Sequence, residues 1–143
     1  MDAELAAHRV LEFDANHTWG CLALAMALAL QEKWGEARHF AEKATPLIPI
    51  GLGILAGILK HMGEANRSEV LIQKLITEEP YGAPSGLCYF YFLSRKVDEY
   101  CDCIEKLIEQ RHLNAVHFAI WYGRSSPRWP ALARLINLPE EAR

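Results

Sequence analysis

Apolar residues in this chain recur mostly three and four positions apart, and glycines and prolines interrupt the pattern at short intervals. This spacing is typical of amphipathic α-helices, whereas half-buried strands alternate every second residue. The run from Trp19 to Leu30 is rich in leucine, alanine and methionine, which are strong helix formers. The breaking residues leave segments of roughly 10–15 residues between short connections. The sequence therefore predicts antiparallel helix pairs.

The predicted helix pairs repeat along the chain. Each second helix carries three apolar or small residues at offsets of zero, four and seven. The four sets are Ala3, Ala7 and Val10; Ala37, Ala41 and Ala44; Ser68, Ile72 and Leu75; and Tyr100, Ile104 and Leu107. Pro49 and Pro80 follow the second and third sets at the same offset, and His112 stands at that position after the fourth. The first members, at positions 3, 37, 68 and 100, are 34, 31 and 32 residues apart, a period typical of helical repeat proteins.

The first helices of the pairs align as well. Their third aligned position is small, which lets two helices approach closely. The sets are Cys21, Leu24, Ala25 and Leu28; Leu52, Leu55, Ala56 and Leu59; and Pro84, Leu87, Cys88 and Tyr91.

The period and the pattern of small and large residues resemble tetratricopeptide (TPR) repeats. Gly35-Glu36-Ala37 resembles the turn between the A and B helices of that family, and Asp14-Ala15-Asn16 resembles its Asp-Pro-Asn connector without the proline. Tyr100 departs from the pattern, because a small residue is expected there. The resemblance implies an all-α fold, an antiparallel helix-hairpin array or TPR-like α-solenoid of about 3.5 repeats with a short C-terminal capping helix. The implied single domain, 1–143, divides into a half repeat (1–16), three units (17–49, 50–80 and 81–112) and a tail with its cap (113–143).

The C-terminal third resembles a more specific group. Tyr81-Gly82-Ala83-Pro84 opens the third unit, Glu109-Gln110-Arg111-His112 closes it, and Pro127-Arg128-Trp129 leads to Leu138-Pro139. This resembles the tail of TPR modules that follow protein kinase, nucleotide cyclase or winged-helix transcription-activator domains in bacterial signalling proteins, although those have phenylalanine where Trp129 stands. The resemblance implies a final helix from about Arg128 to Asn137. It also suggests that the chain is the C-terminal fragment of a longer protein, or that its first helix acts as a cap.

Composition excludes several other classes of protein. The chain has 143 residues, a net charge of −3 and a pI near 6.1, so it lacks the basic surface of a nucleic-acid-binding protein. The apolar stretch from Pro46 to Leu59 is shorter than the roughly 20 residues of a membrane span. No signal peptide is visible at the N-terminus. A chain of this length with only four cysteines can form a core without disulfides, so we expect the cysteines to be reduced thiols. We therefore expect a cytoplasmic protein that binds neither nucleic acid nor membrane.

No pattern in the sequence predicts catalysis or a cofactor. The glycines from Gly51 to Gly57 lack the preceding strand and the following lysine of a phosphate-binding loop. Cys101 and Cys103 are too close together for a structural zinc site, even with His112 nearby. No cysteine has the histidine and positioned acid that activate a nucleophile. We expect no enzymatic activity, no metal and no cofactor.

The TPR resemblance implies that the A helices line a concave groove, which predicts a binding site for a protein or peptide. Gly53 and Gly57 are costly in a helix, and we expect them to leave a notch for a ligand. Tyr89 and Phe92 lie three apart and provide aromatic anchors. The candidate groove residues are Trp19, Leu22, Met26, Gly53, Gly57, Lys60, His61, Tyr89 and Phe92. The predicted function is a non-enzymatic scaffold or sensor module that binds a peptide, a helix or a partner domain.

Two alternatives remain at this stage. The same fold fits a homo-oligomerisation module, in which the groove or the first helix pairs with a second copy, as in a homodimer. It also fits a small-molecule receptor or an enzyme, with Gly53, Gly57, His61 and Tyr89 around one pocket.

Overall fold

The computed structural model describes residues 2–44, 48–78 and 80–143, and this part of the chain is helical with no strand. The all-α prediction is confirmed. The helices are α1 (Ala3–Phe13), α2 (Thr18–Leu30), α3 (Trp34–Ala44), α4 (Pro49–His61), α5 (Ala65–Glu78), α6 (Ala83–Leu93), α7 (Val97–Glu109), α8 (Ala115–Trp121) and α9 (Trp129–Leu135), with short 3₁₀ turns at Gly123–Ser125 and Glu140–Ala142. Pro46, the start of the apolar stretch, lies outside the described residues. None of the described helices combines the length and apolarity that crossing a membrane requires.

Helices that follow one another in the chain pack together, and α4 also packs extensively against α6. Three hairpins, α2–α3, α4–α5 and α6–α7, are each closed by a turn of three residues. In each turn the middle residue has a left-handed backbone, at Glu32 (φ 60°), Gly63 (φ 83°) and Arg95 (φ 57°). The next amide donates to the carbonyl five residues back, at 2.9–3.0 Å, which is the Schellman arrangement that ends many helices.

These turns recur at the predicted period but correct one detail of the prediction. Their left-handed residues are 31 and 32 positions apart, as are the anchors Ala37, Ser68 and Tyr100. The expected turn at Gly35-Glu36-Ala37 is wrong, because Gly35 lies in the first turn of α3. Glycine is the preferred but not the required residue at a left-handed helix end, and here Glu32 occupies that position while Gly35 lies within the helix.

The predicted inward-facing sets are buried in α3, α5 and α7. They are Ala37, Ala41 and Ala44; Ser68, Ile72 and Leu75; and Tyr100, Ile104 and Leu107. The α1 set differs, since only Ala7 is buried while Ala3 and Val10 are exposed. The main packing partner of α1 is α2, so much of its surface stays open.

Pro49 has a different role from the one the repeat pattern suggested. We expected it to close the helix pair before it, but it is the first residue of α4. Proline suits this position because the first amides of a helix have no intrahelical partner, so the missing N–H costs nothing there.

The tail is fixed to the third hairpin. Its final helix, α9, lies within the range predicted from about residue 128 to residue 137. The Arg128 guanidinium donates to Asp102 at 2.7 Å and to Glu105 at 2.6 Å. Both carboxylates belong to α7, and their hydrogen bonds raise the pKa of Arg128 above its ordinary value. Trp129 is buried in one core cluster with Cys101 and Ile104 of α7, so the Pro127-Arg128-Trp129 segment connects α9 to α7.

Candidate partner-binding surface

Helix α2 contains no charged residue between Thr18 and Leu30. A helix that is apolar on every side is normally buried on every side, but α2 is covered on one side only. Cys21, Leu24, Ala25 and Leu28 belong to the core. On the other side, Trp19 and Leu30 each remain 58% exposed. We call the exposed stripe the α2 face, and it consists of Trp19, Ala23, Met26, Ala27 and Leu30.

Two of the three groove residues predicted in α2 lie on this face. Trp19 is exposed and Met26 is half-buried. Leu22 is only 3% exposed and belongs to the core that α2 forms with α3 and α4. A partner at the α2 face would therefore meet Trp19 and Met26 but not Leu22.

The glycines of α4 serve helix packing. Gly53 lies directly against Gly86 of α6, so that a Cβ atom added to Gly53 would overlap the Gly86 carbonyl. A Cβ atom on Gly57 would come within 2.8 Å of the Leu93 side chain. The expected notch at Gly53 and Gly57 is thus filled by α6, because the absence of two Cβ atoms lets the helix backbones touch.

Lys60 and His61 lie at the C-terminal end of α4. The Lys60 ammonium lies 5.5 Å from the centre of the Phe90 ring, a cation–π distance. The His61 ring stacks on Trp34 with centroids 4.1 Å apart and planes 6° from parallel. Its Nε2 atom lies 2.7 Å from the Leu93 carbonyl oxygen, so Nε2 donates and, in the neutral ring, Nδ1 is an acceptor. His61 therefore connects α3, α4 and the end of α6.

An open pocket of about 250 Å³ lies beside His61 and Trp34. It brings two predicted residues, His61 and Phe92, together with Leu30 of the α2 face. The full lining is Ala29, Leu30, Glu32, Trp34, His61, Phe92, Leu93, Arg95 and Tyr122. Gly53, Gly57 and Tyr89 do not line it, so this pocket differs from the small-molecule site expected from those three residues with His61.

Tyr89 and Phe92 pack against the tail. The Tyr89 ring meets Phe118 edge-on at 5.1 Å. The Phe92 ring lies 4.3 Å from Trp121 and 4.8 Å from Tyr122. Both predicted anchors are half-buried under α8 and the residue that follows it. Trp121, which is 40% exposed, is the outermost ring of this group. It was not among the predicted residues, because the tail has no repeat register to place it.

The cysteines of α7 face different neighbours. Cys101 contacts Ser126 through its side chain, whereas Cys103 hydrogen bonds with Cys88 of α6. Burial raises the pKa of both Cys88 and Cys101. Within the described part of the chain, no three histidine, cysteine or acidic side chains converge as metal ligands would.

Searches against protein-family models, curated proteins and solved structures find no match for this chain.

Proposed function

We propose that this chain is a TPR-like, non-enzymatic interaction module that binds the apolar side of a partner helix on its α2 face. The observation that carries the proposal is the absence of charge from α2 together with the exposure of Trp19 and Leu30. Leaving large apolar side chains in water is unfavourable by roughly 25 cal/mol per Å². A helix whose only role was to cover the core would carry polar residues on its outer side.

The shape of the α2 face favours a helical partner. Its members stand at positions 19, 23, 26, 27 and 30, which is the spacing of a helix–helix seam. From Trp19 to Leu30 the stripe is about 16 Å long at 1.5 Å per residue, or three helical turns. Trp19 is a suitable anchor, since tryptophan is enriched among the residues that dominate binding energy. The 250 Å³ pocket beside Leu30 is suited to receive one side chain at the end of the partner.

The repeat pattern and the C-terminal resemblance support a place in a bacterial signalling protein, where such a module would receive a helix or a neighbouring domain. The four cysteines are free and buried, which agrees with the reducing conditions of the cytoplasm. This observation supports our proposal that the module works in the cytoplasm.

Homo-oligomerisation is the alternative, and α1 is the observation that favours it. Phe13 is 94% exposed, and Leu5 and Val10 are exposed on the same helix. A second copy that covered this surface would bury a further apolar area, and closed symmetric dimers are the commonest soluble oligomers.

Site-specific photo-crosslinking in the host cell tests the proposal. A photoreactive phenylalanine analogue replaces Ala23, at the middle of the α2 face. The matched control carries it in place of Val70, which is exposed on α5. We expect an adduct with one defined partner from position 23 and none from position 70. Adding Trp19→Asp should remove the adduct, whereas adding Ile76→Asp, at an exposed α5 position, should leave it.

The mass of the adduct separates the outcomes. A mass of the protein plus a different protein supports partner binding, and a mass of twice the protein without crosslinking supports homo-oligomerisation. If position 23 gives no adduct, or if both positions crosslink equally, the α2 face is not a binding surface.

A further inference from the structure

A second pocket, of about 460 Å³, lies at the opposite end of the α6–α7 hairpin from the first. It opens between the C-terminal ends of α5 and α7 and the start of α6. Its interior is aliphatic, with Leu75 and Ala83 buried and Leu87 half-buried. Tyr81 and Leu113 line its mouth, and they remain 87% and 90% exposed. The volume falls within the range of small-molecule sites, which are mostly apolar with a few polar groups.

The charged side chains in the described lining of this pocket are basic, and Tyr81 and Gln110 add neutral polar groups. Lys106, Arg111 and His112 line it, and none of them forms an ion pair with a described residue. No acidic side chain belongs to its described lining. The chain as a whole carries a charge of −3, so a pocket whose described charged residues are all basic differs in sign from the net charge of the molecule.

Local backbone geometry holds two of these basic residues at the rim. Arg111 has a left-handed backbone (φ 52°) at the end of α7, and the His112 amide closes the same turn by donating to Leu107 at 2.8 Å. The His112 Nδ1 atom accepts from the Asn114 amide at 3.2 Å. In the neutral ring the hydrogen therefore lies on Nε2, which has no hydrogen-bond partner among the described residues.

We propose that this pocket binds a small aliphatic carboxylate, such as a medium-chain fatty acid. The hydrocarbon tail would lie on Leu75 and Leu87, where it leaves water. The carboxylate would accept charge-assisted hydrogen bonds from Lys106 and Arg111 at the rim, which are stronger than those between neutral groups. The site is separate from the α2 face, so the proposal stands independently of partner binding.

Calorimetric titration of the full chain with sodium decanoate, below its micelle concentration, tests this site. We expect saturable binding of one decanoate, with no comparable binding of decyltrimethylammonium, which has the same tail and the opposite charge. Lys106→Met combined with Arg111→Asn should weaken decanoate binding by about tenfold, since hydrogen bonds to charged groups are lost. Asparagine is chosen because it tolerates the left-handed backbone at position 111.

Arg95→Asn is the matched control. Arg95 also has a left-handed backbone, at the turn between α6 and α7, but lies outside the second pocket. The control should bind decanoate as the unaltered chain does. Thermal melting of each variant establishes that it is folded. Failure of decanoate to bind, equal binding of the cationic analogue, or unchanged affinity in the folded double variant would each overturn the proposal.

Discussion

Tyr100 lies at a position where the repeat pattern expects a small residue, yet it is fully buried. Its ring lies between α6 and the tail, edge-on to Tyr122 at 5.1 Å. Its hydroxyl donates to the carbonyl oxygen of Phe118 in α8 at 2.8 Å. The larger side chain therefore reaches the next helix of the array and bonds to its backbone.

Tyr100→Phe tests this hydrogen bond through its pH dependence. At pH 7 we expect a loss of about 1 kcal/mol, because the Phe118 carbonyl loses a donor. Burial raises the pKa of Tyr100 above the ordinary value of 10.0, so in the folded chain it stays protonated while the unfolded chain ionises. The unaltered chain should thus lose a further ~1.4 kcal/mol between pH 7 and pH 11, most of it above pH 10, which the phenylalanine variant does not lose.

Urea unfolding of both chains at pH 7 and pH 11 measures the difference. The gap between them should shrink to about zero at the higher pH. A gap that is unchanged at pH 11 would mean that the Tyr100 hydroxyl is not buried in the folded state.

At this scale, the sequence could predict which residues of α5 and α7 face inward, since their spacing is local. It could not predict the contacts of His61. Trp34, on which the ring stacks, lies 27 positions earlier, and Leu93, whose carbonyl it bonds, lies 32 positions later. Their meeting depends on the stacking of three hairpins.

At the scale of helices, the contact between α4 and α6 depends on glycine. Gly53 meets Gly86, and a Cβ atom on Gly86 would in turn lie 2.8 Å from the Pro49 carbonyl oxygen. The sequence predicts a special role for Gly53, because glycine is unfavourable inside a helix. It could not identify Gly86 as the contact, since the register between two helices far apart in the chain has no local signature.

Gly53→Ala should destabilise the chain by about 3 kcal/mol or more, because the new methyl group meets backbone that cannot rotate away. Gly35→Ala is the matched control. Gly35 is also helical, and no atom lies within 4 Å of where its Cβ would stand. That change should stabilise α3 by roughly 0.5–1 kcal/mol.

Urea unfolding followed by far-UV circular dichroism compares the two variants. Equal effects of the two substitutions, or a tolerated alanine at position 53, would show that α4 and α6 do not approach closely.

At the scale of the whole molecule, apolar surface is unevenly distributed. Helix α6 carries no charge and is covered by α4, α7 and α8. Helix α2 carries no charge and is covered on one side. The sequence could predict that both helices are apolar, because composition is local. The tail folds over Tyr89 and Phe92 and so covers α6, whereas α2 keeps an open side. The sequence could not predict this difference, because the tail lies outside the repeat pattern.

The basic pocket is also a property of the whole array. Its lining comes from α5, α6, α7 and the connections between them. Lys106, Arg111 and His112 share one rim only because α7 ends beside the start of α6. No spacing in the sequence groups them with Leu75 and Leu87.

Hydroxyl-radical footprinting of Trp19 tests the central claim, that a partner covers the α2 face, most directly. In the dilute purified chain, Trp19 should be oxidised readily because it is 58% exposed. In the host cell we expect its oxidation to fall severalfold relative to Val70, which lies on α5 outside both proposed sites and is 67% exposed. Protection that also appears when the purified chain is concentrated would assign the face to a second copy. Equal oxidation of Trp19 relative to Val70 in the cell and in the dilute chain would contradict the claim.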